Sequence, residues 1–228
     1  SGPYYIFVVA DPARPGVYTA RGRVFELDSE DNNETPSPQP LLIELPPPAD
    51  LVVDVITMPP TAEVNGQISL TWTVRNDGDF AAQGSWTDAV YLSKDGTWDL
   101  GDTLLGRVNH TGGLAVGASY TSPPLVATLP PLLAGQYRVI VRPDIYDEVF
   151  EGSDEANNVK ASADPITVDV PVLHPGITLD TTLDPGETRL YRVTVGAGET
   201  LRVRLDAEDD GASAELFARL ADLPTGSA

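Results

Sequence analysis

The residues of this chain best placed to do chemistry are carboxylates. The stretch Asp95-Gly96-Thr97-Trp98-Asp99-Leu100-Gly101-Asp102 sets acids at positions 1, 5 and 8 of a glycine-containing loop. Hard cations need several oxygens brought together, and such a turn lets side-chain and carbonyl oxygens converge, so Asp95, Asp99 and Asp102 are candidate calcium ligands. The loop departs from a helix-loop-helix calcium site: Thr97 sits at position 3, Leu100 at position 6, and Gly106 stands where the twelfth-position glutamate would be. Those departures favour a solvated hairpin turn whose aspartates cap backbone amides. A second acidic group comprises Glu151, Asp154, Glu155, Asn157 and Asn158. Its carboxylates can meet Asp144 and Asp147 across a turn and share a cation, with Asp144, Glu151 and Glu155 as the candidate ligands. The asparagines also accept left-handed backbone geometry, so a turn between two strands accounts for them without a ligand.

Fourteen Lys and Arg stand against 34 Asp and Glu, a formal net charge of −20. A field of this sign repels nucleic acid and anionic lipid surfaces and favours cations as small partners. The absence of cysteine excludes disulfides, thiolate zinc sites and cysteine nucleophiles. The two histidines, His110 and His174, belong to no H-E-x-x-H pattern and read as surface loop residues, and there is neither a G-x-S-x-G elbow nor a phosphate-binding glycine loop. Glycoside hydrolysis needs two carboxylates at a fixed separation, and 34 acids offer no way to choose a pair. A non-catalytic protein is expected. Trp72 falls on an apolar strand face and reads as core. Trp86 and Trp98 lie near loops, either exposed for stacking on sugars or, the favoured reading, covering a sandwich edge or a seam. No run approaches the roughly 18 apolar residues of a membrane helix. Ser1-Gly2-Pro3-Tyr4 is no signal peptide, so an export signal would lie outside the chain.

The elements that must position these residues are strands. Twenty glycines and 21 prolines spread along 228 residues leave room for short segments only. Period-two alternation places Ile68, Leu70, Trp72 and Val74 on one face of a strand within Gln67 to Asn76. The same reading covers Tyr137 to Val141, Ile166 to Val170, Tyr191 to Val195 and Leu201 to Leu205. Leu51 to Ile56 and Ala89 to Ser93 are shorter candidates, and Ala214 to Asp222 reads as either a strand or one short helix. The class is all-β with antiparallel sheets. An internal repeat adds organisation: Val24-Phe25-Glu26-Leu27-Asp28-Ser29-Glu30-Asp31-Asn32-Asn33 aligns without gaps on Val149-Phe150-Glu151-Gly152-Ser153-Asp154-Glu155-Ala156-Asn157-Asn158. Each copy follows a strand, beginning at Tyr5 or Tyr137, that runs towards Asp11 or Asp144. Residues 1–47 therefore read as the closing strands of a sandwich without its opening strands, 49–171 as a whole one, and 172–228 as the beginning of a different β-module. Together they suggest a tandem array.

The motifs Asp50-Leu51, Trp72-Thr73-Val74-Arg75-Asn76-Asp77-Gly78 and Trp86 to Asp95, followed in order by Asp102 to Gly106, Leu129-Pro130, Gly135-Gln136-Tyr137 and Glu151, Glu155, Asn157 and Asn158, resemble the bacterial cell-adhesion-related CARDB domain. The resemblance spans nearly all of 49–171, and residues 1–47 resemble the end of another copy. Residues 178–228, with Asp184-Pro185-Gly186-Glu187-Thr188 and Gly196-Ala197-Gly198-Glu199-Thr200, resemble the start of a bacterial pre-peptidase C-terminal module. The resemblance implies tandem immunoglobulin-like antiparallel β-sandwiches in a secreted or surface-attached bacterial protein, with no defined catalytic site.

The expected role is a spacer or adhesion module, with neighbouring domains of the same array and surface protein or polysaccharide as partners. Leu45-Pro46-Pro47-Pro48-Ala49 reads as a semi-rigid hinge between the first two modules. The alternatives are an ancillary targeting module of a secreted hydrolase and a filament subunit that self-assembles by strand addition.

Overall fold

The computed structural model of the chain describes residues 2–12, 24, 27, 33–44, 47–207 and 213–224. Two compact units divide it, Ser1–Pro47 and Pro48–Ala228. In the first, the β-favouring run Tyr4 to Val9 supplies β1 (Gly2–Tyr4) and β2 (Phe7–Val9). These pair antiparallel with β4 (Leu41–Ile43) and β3 (Glu34–Pro36) respectively.

The second unit holds a β-sandwich. One sheet is built on β7 (Gln67–Asn76), with β5 (Leu51–Thr57) antiparallel on one edge. Its other edge is shared by β10 (Ser119–Thr121) and β11 (Leu125–Thr128). The other sheet runs β6 (Thr61–Glu63), β14 (Ile166–Asp169), β12 (Gly135–Arg142), β8 (Ser85–Ser93) and β9 (Thr103–Thr111), and the short β13 (Lys160–Ala161) also pairs with β12. Pro59 and Pro60 account for the change of sheet between β5 and β6: neither has an N–H to continue a ladder. The Pro60 carbonyl instead accepts from Thr167, and β6 continues parallel to β14.

The core lies where the alternation places it. Ile68, Leu70, Trp72 and Val74 of β7 face Val90 and Leu92 of β8, Val139 and Val141 of β12, and Ile166 and Val168 of β14. Burial of these side chains, at roughly 25 cal/mol per Å² of apolar surface, is what holds the two sheets together. A bulge between Val53 and Val55 interrupts the β5–β7 ladder. Lys160 spans it, its Nζ donating to the carbonyls of Val53 (2.9 Å) and Asp54 (2.8 Å).

The strands expected from 51, 67, 89, 137 and 166 all form, β5 and β8 run longer than their patterns suggested, and β9 was not among the expected strands. The strands expected over 191–195 and 201–205 do not. In this region a single parallel bridge joins Val172 to Arg192, and Val195, Leu201, Val203 and Leu205 are exposed. Alternation selects a face, but a strand also needs a neighbour's carbonyls and amides, and among the described residues only Arg192 finds them, donating to the Pro171 carbonyl (2.8 Å) and accepting from the Leu173 amide (2.7 Å). The described part of 214–222 is neither strand nor helix.

The Asn76–Gly78 turn packs against the opening of β5. A Cβ added at Gly78 would lie 2.5 Å from the Ala49 carbonyl carbon and 2.6 Å from the Asp50 nitrogen, both backbone atoms. Gly78→Ala is therefore expected to cost about 1–3 kcal/mol by forcing the two backbones apart. Chemical denaturation of the purified variant checks this, with a lowered midpoint at unchanged slope expected.

Candidate functional site

The loop between β12 and β13 gathers the second group of carboxylates, and their geometry is that of backbone holders. Asp144 takes a left-handed conformation (φ 46°), tolerable for an aspartate, and turns its buried side chain back on its own loop. Its Oδ1 accepts from the Glu148 amide (2.9 Å) and its Oδ2 from the Val149 amide (2.8 Å). Glu151 is fully buried; its Oε1 accepts from the Leu51 amide at 2.6 Å, and its Oε2 from the Asn158 side-chain amide. Glu155 Oε1 accepts from the Glu151 amide (3.1 Å). Asn157 reaches Asp50 Oδ1 (3.0 Å), and the Ala49 amide donates to the Phe150 carbonyl (3.1 Å). The loop thus fastens the first strand of the sandwich to the chain beyond β12, a hundred residues away in sequence.

Sequence reasoning quoted Asn76 only as a motif letter, yet it is the second hub of this end. Fully buried, its Oδ1 accepts from the amides of Asp50 and Gly78, and its Nδ2 donates to the carbonyls of Phe80 and Leu114. Burial carries a cost that shows in the acids: desolvation pushes Glu151 up to about 7, against the pull of Asn158 and the Leu51 amide. Asp144 and Glu155 are likewise raised by burial. The neighbouring acids add to this, Asp147 raising both Asp144 and Glu155, and Asp144 raising Glu151 and Glu155.

The first group is a capped turn. Asp95 Oδ1 accepts from the Thr97 amide (2.8 Å) and the Ser93 hydroxyl (3.2 Å). Asp99 Oδ1 accepts from the Gly101 amide (2.6 Å), and Asp102 Oδ2 from the Asp99 amide (3.0 Å). The structure brings Asp144, Glu151 and Glu155 into one loop and Asp95, Asp99 and Asp102 into another. Among the described residues no three acidic or histidine side chains converge as a cation's ligand set would. The counterparts Glu26, Glu30 and Asn32 lie outside the described residues.

A third polar cluster has no counterpart in the sequence reading. Asp88, on the inner face of β8, is buried and its Oδ2 accepts from Trp72 Nε1 and from the Tyr120 hydroxyl, both at 2.6 Å. Trp86 Nε1 donates to Tyr120 (3.1 Å), and His110 stacks between Trp86 and Tyr120, its ring centroid 4.2 and 3.9 Å from theirs. Trp86 is therefore core, not an exposed sugar platform, and His110 is a half-buried strand residue of β9, not a surface loop residue. Desolvation raises the pKa of Asp88 although Tyr120 and Trp72 favour its charged form, and Asp88 and burial push Tyr120 up in turn. Beside them opens a cavity of about 150 Å³ bordered by Asp88, His110, Tyr120, Ser122 and Pro123, with room for water. Trp98 is half-buried: the Arg142 guanidinium lies 3.9 Å over its ring, and Tyr91 meets it edge-on. That stacking occupies a face a sugar would use.

The family model for CARDB matches residues 48–162, and the chain belongs to that family. CARDB is a family of non-enzymatic modules. Among solved structures, the chain is similar to the crystal structure of a CARDB domain from Pyrococcus furiosus in complex with di-metal ions, at 24% identity over 54% of this chain and 90% of that one, with a TM-score of 0.39. The solution structure of a CARDB domain from Pyrococcus furiosus gives 25% identity over 53% and 94%, with a TM-score of 0.38. A β-glucosidase from Listeria innocua is 16% identical over 53% of this chain and 16% of its own, with a TM-score of 0.34. No curated protein matches the chain.

Because burial raises the pKa of Glu151 above its unfolded value, its contribution to stability is complete below about pH 4.5 and is lost as pH rises through about 7. Asp88, Asp144 and Glu155 shift in the same direction. The Tm is expected to fall between pH 5 and pH 8, and less steeply in Glu151→Gln, whose amide accepts from Leu51 and carries no charge to desolvate. Glu151→Ala leaves the Leu51 amide unpartnered and should cost roughly 2–3 kcal/mol at any pH. Thermal melts across that range check both variants, and equal pH slopes for parent and Glu151→Gln would assign the effect to another group.

Proposed function

We propose that this chain is part of a non-catalytic extracellular protein of a bacterial surface, in which CARDB sandwiches follow one another as spacers and present adhesive faces to surface protein or polysaccharide. The observation that supports it most is the use to which the motif residues Asn76, Glu151, Glu155, Asn157 and Asn158 are put: with Asp144 beside them, they bond backbone groups, one another or, for Asn157, the side chain of Asp50 at the start of the sandwich. A module whose best-placed polar groups tie its first strand to the loop beyond β12, a hundred residues on, resists having that strand peeled away, which is what a link in an array must do. The net charge of −20 keeps such an array soluble and self-repelling. Neighbouring modules of the same array are its first partners, and the closing residues beyond Pro171 begin the next one.

Pulled from its two ends in a force spectrometer, the chain should give one cooperative rupture releasing roughly 400 Å of contour length, the extended reach of residues 49–170 at about 3.4 Å each. Clustered copies on beads should also bind at least one class of bacterial surface polysaccharide or host matrix protein. Extension without a rupture would remove the mechanical reading, and beads that bind nothing across both classes would remove the adhesive one.

Calcium is a second proposal, and the loop of Asp144, Glu151 and Glu155 is the place for it. Glu155 Oε2 and Asn158 Oδ1 are buried there with no hydrogen-bond partner, amid like charges that a divalent cation would offset. At 2 mM calcium a site of about 10⁻⁴ to 10⁻³ M affinity adds roughly 0.7–1.8 kcal/mol. The Tm at pH 8 should rise by several degrees with calcium, fall back on chelation, and lose its response in Glu155→Ala. An unchanged Tm leaves the acids as backbone holders alone.

A further inference from the structure

The described strands of the Ser1–Pro47 unit repeat the pairing register of the closing strands of the sandwich. Gly2, Pro3 and Tyr4 pair with Ile43, Leu42 and Leu41, as Gly135, Gln136 and Tyr137 pair with Val168, Thr167 and Ile166. Phe7 and Val8 pair with Pro36 and Thr35, as Ile140 and Val141 pair with Ala161 and Lys160. Between them sits the same bend. The Ser37 amide donates to the Ile6 carbonyl and the Ser162 amide to the Val139 carbonyl, each at 2.7 Å. The Ile6 and Val139 amides donate back to the Ser37 and Ser162 hydroxyls, each at 3.2 Å. Those hydroxyls donate to the Gln39 and Asp164 carbonyls, each at 2.7 Å.

The loop chemistry repeats as well. Asp11 (φ 44°) accepts the Val24 amide on Oδ2 at 2.5 Å, as Asp144 (φ 46°) accepts the Val149 amide at 2.8 Å, across 13 residues in place of 5. Leu27 stands at φ 56° where Gly152 stands at 66°. A branched side chain held in the left-handed region is disfavoured, so its presence at the matching position marks the same loop geometry.

The covering of these strands differs. Tyr137, Val139, Ile140, Val141, Ile166 and Val168 are at most 7% exposed, because the sheet of β5, β7, β10 and β11 lies over one face and β8 fills one edge. Their counterparts Tyr4, Ile6, Phe7, Val8, Leu41 and Ile43 are 42–66% exposed. A two-stranded hairpin with both faces wet is marginal on its own, and so large an apolar surface marks an interface.

We infer that the paired strands β1–β4 are a docking surface for a strand set of the β5–β11 pattern, a CARDB half-domain standing on the N-terminal side of Gly2 as β5–β11 stand on the N-terminal side of Gly135. The register fixes the geometry. An antiparallel strand like β8 pairs with β2, a parallel strand like β6 pairs with β4, and a sheet like that of β7 covers the face of Ile6 and Val8. The inference rests on the tandem-array reading, but its test is separable from adhesion, which can fail while the sandwich closes.

The test uses this chain's own half-domain as the probe: residues 48–134 fused directly ahead of Gly2 of the otherwise complete chain, so that Ala134 precedes Gly2 as it naturally precedes Gly135. Hydrogen exchange at the Ile6 and Ser37 amides should slow by roughly a hundredfold or more relative to the unfused chain, with a second cooperative unfolding transition. Unchanged exchange at those amides overturns the inference. So does an unfused chain that dimerises with the hairpin protected, because the occupant is then a second copy. A second measurement stands whether or not the fusion folds: the unfused chain should bind a hydrophobic dye through this hairpin, and Phe7→Lys should reduce that fluorescence with the sandwich's Tm unchanged. Fluorescence unaffected by Phe7→Lys also overturns it.

Discussion

With apolar burial holding the two sheets together, the closure of one end of the sandwich depends on one buried contact, the carboxylate of Glu151 on the amide of Leu51. A β-sandwich is closed at its sides by sheet pairing, but at its ends the first and last strands leave amides and carbonyls that must find partners or remain in water. Here the opening strand is held by a side chain one hundred residues further on, and Asn158, Glu155 and Asn157 fix the loop that carries that side chain. Asn76 does the same for the turn that lies against the strand's first residue. Removing the Glu151 side chain leaves the buried Leu51 amide without an acceptor, a larger loss than the net gain of an ordinary hydrogen bond.

The same contact explains the acidity pattern. A carboxylate taken out of water is raised in pKa unless donors restore what hydration supplied, and Glu151 receives two donors where water would give more. Asp88 is the parallel case inside the sheet. Two aromatic donors, Trp72 and Tyr120, anchor it between the two layers, so the polar group specifies how those rings lie while the surrounding apolar side chains supply the stabilisation.

Much of the architecture was legible because it is periodic. Ile68, Leu70, Trp72 and Val74 announce a half-buried strand from spacing alone, and the repeated V-F-E-x-x-x-E-x-N-N pattern marks a loop that the structure builds from capped turns. What spacing could not supply was pairing and burial. Tyr191, Val193 and Val195 alternate as well as any strand, yet among the described residues no neighbouring backbone meets this segment beyond the contacts of Arg192. Trp86, expected near a loop and covering a sandwich edge or seam, and His110, expected in a surface loop, instead lie within β8 (Ser85–Ser93) and β9 (Thr103–Thr111), because strand ends cannot be placed from a short apolar pattern, and both rings enter the stacked cluster. The acids of 144–155 were read first as possible ligands because sequence gives charge without depth. Only the structure shows that Glu151 is fully buried and facing an amide.

The most direct test of this account is the native-state exchange rate of a single proton, the Leu51 amide, compared with the core amides of Val74 and Val139. If the Glu151 carboxylate holds the sandwich closed, Leu51 exchanges only through global unfolding, with the same opening free energy and denaturant dependence as the core. If Leu51 exchanges far faster than Val74 and Val139, through an opening insensitive to denaturant, then the end of the sandwich frays independently and Glu151 is not its fastening.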